Sequence, residues 1–397
     1  MEEEIITLDG WREGYLKDIA NILMGQSPKG DTCNSFKNGL PLLNGPTEFT
    51  DNHPIPTQFT IDPKKIAQKG DLLFCVRGST TGKMNWADQQ YAIGRGIAAL
   101  KHKKGDEYQS YLRAVVEYKL SKLLISATGS TFPNISRDQL LLMEILLPPL
   151  PEQKAIASVL SSLDDKIELL REQNKTLEAL AQTLFKRWFV DFNFPDENGE
   201  PYKDSGGKMI ESELGEIPEG WRVYELGEIS KLIAGGDRPK NTTINKTETN
   251  CIPVYSNGIS NDGLYGYTDK PKINEESVTV SARGTIGYIC LRLEPYVPIV
   301  RLISIIPIKN YLSTKYLFLW LKNQNISSTG TTQQQLTIPD FSTSKIIISE
   351  CIVMDKFTIL LDSLYKKISS NNFQIQTLSI LRDTLLPKLM KGEVRVW

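Results

Sequence analysis

The stretch Gly78-Ser79-Thr80-Thr81-Gly82-Lys83-Met84 sets two glycines, three hydroxyls and a lysine where a phosphate-cradling loop could form. Such a loop would bind a nucleotide, with backbone N–H groups on the phosphates and the hydroxyl after the lysine on a magnesium ion. The spacing is one residue short, and Met84 stands where that hydroxyl is needed. Leu147-Pro148-Pro149-Leu150 holds the sole Pro-Pro, without the polar lead or the aromatic that an amino-methyltransferase uses to clamp a flipped base. A glycine-rich cofactor loop and a nuclease carboxylate cluster are also missing. With only His53 and His102, a His-ligated metal or a His-based triad has little material. Cys33, Cys75, Cys251, Cys290 and Cys351 are scattered, odd in number and never Cys-x-x-Cys, so they read as reduced thiols. The chain itself is expected to be catalytically silent.

What does recur is a turn. A hydrophobic strand ending in Arg77-Gly78-Ser79 returns as one ending in Arg283-Gly284-Thr285. Around it lies a longer repeat. Trp11-Arg12, Leu16, Ile19 and Gly25 return as Trp221-Arg222, Leu226, Ile229 and Gly235, at a constant shift of 210 (221 − 11). Thr128-Gly129-Ser130-Thr131 matches Thr329-Gly330-Thr331-Thr332. Leu163 to Ile167 matches Leu364 to Ile368, at a shift of 201 (364 − 163).

Each half therefore predicts a mixed α/β globule followed by a long helix. The expected divisions are 1–150, a helix over 151–190, a linker over 191–220, a second globule over 221–350 and a second helix over 351–397. The linker reading rests on acidic, Gly/Pro-rich sequence, with Asp196, Glu197, Glu200, Asp204, Glu211, Glu213, Glu216 and Glu219.

The bulk numbers agree with an ordinary globular chain. Its 397 residues suffice for two to three domains, and a net charge of −1 argues against a protein that coats nucleic acid by charge alone. The longest apolar run, Leu140–Leu147, is broken by Glu144 and is too short to cross a bilayer. The acidic opening Met1-Glu2-Glu3-Glu4 is unlike a signal peptide, so a cytoplasmic location is expected.

The helices carry heptads. In the first, Ile156, Leu163, Leu170, Leu177 and Leu184 fall at d; Leu160, Ile167, Asn174, Ala181 and Trp188 fall at a. In the second, Phe357, Leu364, Asn371, Leu378 and Leu385 fall at d; Leu361, Ile368, Ile375, Arg382 and Leu389 fall at a. Each seam has one asparagine, at a in one helix and d in the other. Antiparallel pairing layers a against d, and setting Asn174 opposite Asn371 matches Ile156 with Leu389 and Trp188 with Phe357. Leu163 against Arg382 is the single mismatch, from which a long arginine can snorkel. Buried amides are used in such seams to fix register. The alternative is that each helix packs on its own globule and the asparagines are incidental.

The segments "LPPLPEQKAIASVLSSLDDKIELLREQNKTLEALAQTLFKRWFVDF" (147–192), "LGEIPEGWRVYELGEI" (214–229) and "LLPKLMKGEVRV" resemble the specificity (S) subunit of type I restriction–modification enzymes. The likeness runs the whole chain in its order of parts. Two places depart from the pattern: Ser349-Glu350-Cys351-Ile352 replaces the proline-rich lead, and the first domain opens "LDGW". The resemblance implies an α+β fold. Two mixed α/β target-recognition domains would be separated by two long helices forming an antiparallel coiled coil, as a pseudo-two-fold repeat. It further implies a non-catalytic reader of a bipartite double-stranded DNA site. Modification subunits, expected as two, would carry S-adenosylmethionine, and restriction subunits the motor and nuclease; this chain would hold no cofactor and meet no membrane.

Under that reading the DNA contacts are loop residues. In the first domain they are Lys29, Arg77, Ser79, Thr80, Lys83 and Arg95, with Thr128 to Thr131 as backbone grips. In the second they are Arg238, Lys240, Asn257, Arg283, Thr285 and Arg301, with Thr329 to Gln333. Arginine clamps guanine bidentately and Asn or Gln reads adenine, while Ser, Thr and Lys mostly hold phosphates. Each of these residues could equally be a surface ion pair or a turn residue. Two other classes stay open at this point: a stand-alone enzyme, disfavoured by the missing motifs, and a coiled-coil scaffold without DNA affinity.

Overall fold

Leu72-Leu73-Phe74-Cys75 has no polar position, so as a strand it must be covered on both faces, and all four side chains are buried. It lies at the heart of one of two similar units. The computed structural model describes residues 10–50, 52–125, 127, 133–308, 311–324 and 336–396. Its units are Met1–Glu172 with Asn371–Trp397, and Gln173–Ser370.

In the first unit Arg12–Tyr15 pairs antiparallel with Glu144–Leu147, closing the globule at its entrance and exit. An antiparallel sheet follows in the order Ala20–Met24, Ile97–His102, Leu72–Cys75, Met84–Trp86. A five-stranded sheet completes it, and there Leu40–Leu43 runs parallel to Tyr91–Ile93. The second unit repeats the plan. Arg222–Glu225 pairs with Lys345–Ile348, and Ser230–Ala234, Leu302–Pro307, Ser277–Ser281 and Ile289–Arg292 form the antiparallel sheet. Ile252–Tyr255 runs parallel to Val297–Pro298. The four-stranded sheets share one order of pairing, as the repeat in sequence predicts, while the sheet with the parallel pair has five strands in the first unit and three in the second.

The long helices are Leu150–Phe185, continued by a π-helical turn Lys186–Val190, and Cys351–Met390. Within the first unit, Ile156, Leu160, Leu385 and Leu389 share one apolar cluster with the sheet and helix Gln109–Ile125. The Arg382 guanidinium donates to Asp164 at 3.1 Å. Within the second unit, the Trp188 and Phe357 rings lie 5.4 Å apart, and Leu177, Ala181, Leu184, Leu361, Leu364 and Ile368 belong to the same cluster. The first unit joins the start of the first helix to the end of the second, and the second unit joins the end of the first to the start of the second, so the pairing is antiparallel and Trp188 meets Phe357 as expected. Asn371 is fully buried and Asn174 half-buried.

Arg382 does more than snorkel. Burial opposes its charge, but hydrogen bonds from its guanidinium to Asp383 and Asp164 hold it firmly protonated, with Glu117 3.9 Å away. The apparent mismatch in the seam is thus an ion-pair site between helix and globule. A second such tie joins distant parts of the first unit. The Glu152 carboxylate, 2% exposed, accepts 2.9 Å hydrogen bonds from the Trp11 indole and the Arg395 guanidinium.

The stretch read as an exposed linker is folded. Met209–Ser212 and Gly215–Pro218 form a hairpin, and Phe192, Phe194 and Ile217 are buried. Phe194 stacks on Trp221 at 5.1 Å. Most of the acidic side chains are solvated as expected. The apolar residues interleaved among them give the segment its own docking face, which a reading by charge alone overlooks.

His102 sets a pH limit on the first unit. It is 2% exposed, and its Nδ1 accepts from the Lys104 N–H at 3.1 Å, so the ring is neutral with its proton on Nε2. Burial pushes its pKa below the ordinary 6.5. The unfolded chain then binds a proton that the folded chain refuses, so stability is full above pH 6.5 and falls as pH drops through that value towards the lower folded pKa. We expect the melting temperature to fall between pH 7.5 and 5.5 by more in the native chain than in His102→Asn. Equal falls would contradict this role for the ring.

Among the described residues, no helix is long and apolar enough to cross a membrane.

Candidate nucleic-acid interface

The strand-to-strand loops at one end of the first globule are stitched together by backbone. The Gly25 N–H donates to the Ile97 carbonyl at 2.9 Å, and that of Gln26 to Ile93 at 2.8 Å. A Cβ on Gly25 would lie 2.1 Å from the Gly94 carbonyl oxygen, so this approach requires glycine. The Arg95 N–H reaches the Ser27 hydroxyl at 3.3 Å, and the Val76 N–H donates to Gly96 at 2.9 Å. Ile135 in turn donates to Val76 at 2.9 Å. Residues 25–29, 76–83, 94–96 and 134 therefore form one surface.

The loop that mimics a phosphate cradle closes as a hairpin instead. The Gly82 N–H donates to Cys75, and the Thr81 hydroxyl binds the carbonyls of Gly78 and Pro133, each at 2.8 Å. Arg77 is exposed, and its Nε donates to the Asn134 Oδ1 at 2.9 Å. Lys29, Ser79, Lys83 and Arg95 are exposed, and Thr80 is half-buried.

The second globule builds the corresponding surface. The Val300 N–H donates to Gly236 at 3.0 Å, and the Asn257 side-chain amide donates to Val300 at 2.6 Å. The Thr285 hydroxyl binds the Asn257 carbonyl, and the Leu336 N–H donates to Ala282 at 3.2 Å. Arg238 donates to the Tyr265 hydroxyl at 2.9 Å. Arg238, Lys240 and Arg301 are exposed. Val300 and Arg301 both have positive φ, 41° and 62°, where the first domain has Arg95 and Gly96. A β-branched residue in that region is strained; the turn is held by bonds on both sides and presents Arg301 at its tip.

Two features differ from the sequence reading. Arg77 and Arg283 were expected to stand alike, but Arg283 is half-buried where Arg77 is exposed, and its turn is tied to Asn257 through Thr285. Asn44 was missed: it follows Leu40–Leu43 directly, while Asn257 follows Ile252–Tyr255 after Ser256, and each opens an Asn-Gly pair. It is exposed and packs against Gly94 and Gly96. Aligning Asn44-Gly45 with Asn257-Gly258 would have found it. The expected grips Thr128 to Thr131 and Thr329 to Gln333 lie outside the described residues.

The surface offers hydrogen-bond donors and cations on rigid loops, and its chemistry stops there. Burial pushes the Cys75 and Cys290 thiols up, away from the thiolate form a nucleophile needs. None of the five cysteines is in a disulfide. Among the described residues, no three His, Cys, Asp or Glu side chains converge as metal ligands.

Two globules of one topology, each offering arginine and asparagine on loop tips and each leading into a long paired helix, define a two-headed recognition scaffold. Comparison with known proteins gives the family. The type I restriction modification DNA specificity domain matches residues 9–179 and again 218–378. The specificity subunit of the type I restriction enzyme MjaIX from Methanocaldococcus jannaschii is 32% identical over 84% of this chain and 79% of its own length. That of HindI from Haemophilus influenzae is 25% identical over 83% of this chain and 88% of its own. The crystal structure of a type I restriction–modification S subunit from M. genitalium superposes with a TM-score of 0.62 at 18% identity, covering 98% of both chains. The chain belongs to the type I restriction–modification DNA specificity subunit family, whose members recognise DNA and leave catalysis to other subunits.

Proposed function

We propose that each recognition domain of this chain reads one half of a bipartite DNA site, and that the antiparallel helices set the unread spacer. Modification subunits, two per chain, dock around this scaffold, bind S-adenosylmethionine and methylate adenine; restriction subunits add the motor and nuclease. The observation that carries this reading is the repeated surface, in which the same strand ends bring the same residue types to one end of each globule. On it Lys29, Arg77, Ser79, Thr80, Lys83 and Arg95 serve the first half-site. Arg238, Lys240, Asn257, Arg283, Thr285 and Arg301 serve the second, with Gln333 from outside the described residues, while Asn174 and Asn371 fix the helix register.

A net charge of −1 leaves little non-specific pull on phosphate, so the modification subunits supply much of the backbone contact. The chain alone then binds DNA poorly and gains affinity with its partner. With the partner present, Arg77→Ala is expected to cost about 1–3 kcal/mol of specific binding and to relax one position in one half-site. Gel shifts across a salt series and sequencing of the methylated motif check both effects. An unchanged motif with unchanged affinity would remove Arg77 from the interface. Partner-loaded chain with no salt-dependent affinity at all would favour a scaffold that does not bind DNA.

A further inference from the structure

Phe36 is 88% exposed and Ile244 86% exposed. Among the described residues, Ile125 is the only other large apolar side chain so bare. The two occupy the same place in the repeat, between the strand that leads into the candidate surface (Ala20–Met24, Ser230–Ala234) and the parallel strand (Leu40–Leu43, Ile252–Tyr255). Neither sits on a loose loop. The Asn34 Oδ1 accepts from the N–H groups of Phe36 and Asn38 at 3.1 Å, and its amide donates to the Asn38 carbonyl at 2.9 Å. In the second domain Asn241 and Asn250 exchange side-chain hydrogen bonds at 3.2 and 3.1 Å, and Thr243 pairs with Tyr267 through the backbone. Tyr265, two residues along that strand, holds Arg238. The Ile244 loop therefore borders the candidate interface directly.

A rigid, solvated Phe or Ile forfeits the free energy of burial unless something apolar receives it. The surroundings decide what that is. Phe36 is flanked by Asn34, Ser35, Lys37 and Asn38, and Ile244 by Thr242, Thr243, Asn245 and Lys246. A protein partner needs a contiguous apolar core; a single apolar tip ringed by amides, hydroxyls and one exposed lysine matches a base step between phosphates. Phe and Ile are among the side chains that wedge between bases. We propose that Phe36 and Ile244 are apolar wedges, each inserted at a base step of the half-site its domain reads, with Lys37 and Lys246 on neighbouring phosphates. This rests on the bipartite reading above.

The test uses the full chain assembled with its modification subunits, on duplexes of the motif that this complex methylates. 2-Aminopurine is placed in turn at each position of both half-sites. With the native chain, fluorescence should rise at one step in each half-site in addition to the rise at the adenine that the modification subunits flip. Phe36→Ser should abolish the first rise only and Ile244→Ser the second only, each weakening binding about tenfold, while Phe36→Leu keeps the rise. Both residues are exposed, so the serine variants should melt as the native chain does. Serine variants that leave both rises and the affinity intact would overturn the proposal while a bipartite motif still upheld the parent reading. Weaker capture of the modification subunits without DNA would also overturn it, in favour of a protein contact. If the native complex methylates no motif, both readings fall.

Discussion

Inserting four residues into both long helices, at Asn174 and at Asn371, will lengthen the unread spacer of the methylated motif by about one or two base pairs. Each insertion adds about 6 Å at 1.5 Å per residue, against about 3.4 Å per base pair of B-DNA. A four-residue insertion also advances the seam by little more than one turn, so the a and d faces stay near their partners. The first helix, 36 residues by itself, is about 54 Å long, enough to hold readers one helical turn of DNA apart. The half-sites should keep their sequence while the gap between them grows. A motif with an unchanged gap would end the role of the helices as a ruler.

Phe357→Ala will destabilise the second unit by about 3–5 kcal/mol, the range for truncating a buried aromatic. Phe357 is 0% exposed, and its ring lies 4.7 Å from that of Phe189 and 5.4 Å from that of Trp188. Both partners belong to the end of the first long helix, so the residue joins helix to helix and both to the globule. Urea unfolding followed by the fluorescence of Trp188 and Trp221 measures this directly, since both indoles lie in the same cluster. A loss under about 1 kcal/mol would mean that the helix ends are not held by this aromatic packing.

Much of the fold was legible because repetition and periodicity are local signals. Trp11 and Trp221 mark the same entrance strand, and the heptads named Trp188 and Phe357, whose rings meet. The candidate surface was legible only in part, through Arg77, Arg95, Arg238, Asn257 and Arg301, because a strand ending in a charged turn is visible in one dimension. The turn that carries Arg283 is tied by Thr285 to Asn257, a contact 28 residues long in sequence. Glu152 joins Trp11 and Arg395 across separations of 141 and 243 residues, which no local pattern reports. Phe36 and Ile244 passed unremarked because a lone apolar residue in a polar stretch looks like noise until two of them fall at one place in the repeat. The folded hairpin of 209–218 was hidden by its acids for the converse reason: charge dominated the reading, though Phe194 and Ile217 carry the packing.

The most direct measurement is long-read sequencing of methylated DNA from cells that express this chain with its modification subunit. Two readers held at a set separation predict adenine methylation in a motif of two specified halves around a gap of fixed length and free sequence. A single continuous motif, or halves whose separation varies from site to site, would contradict them.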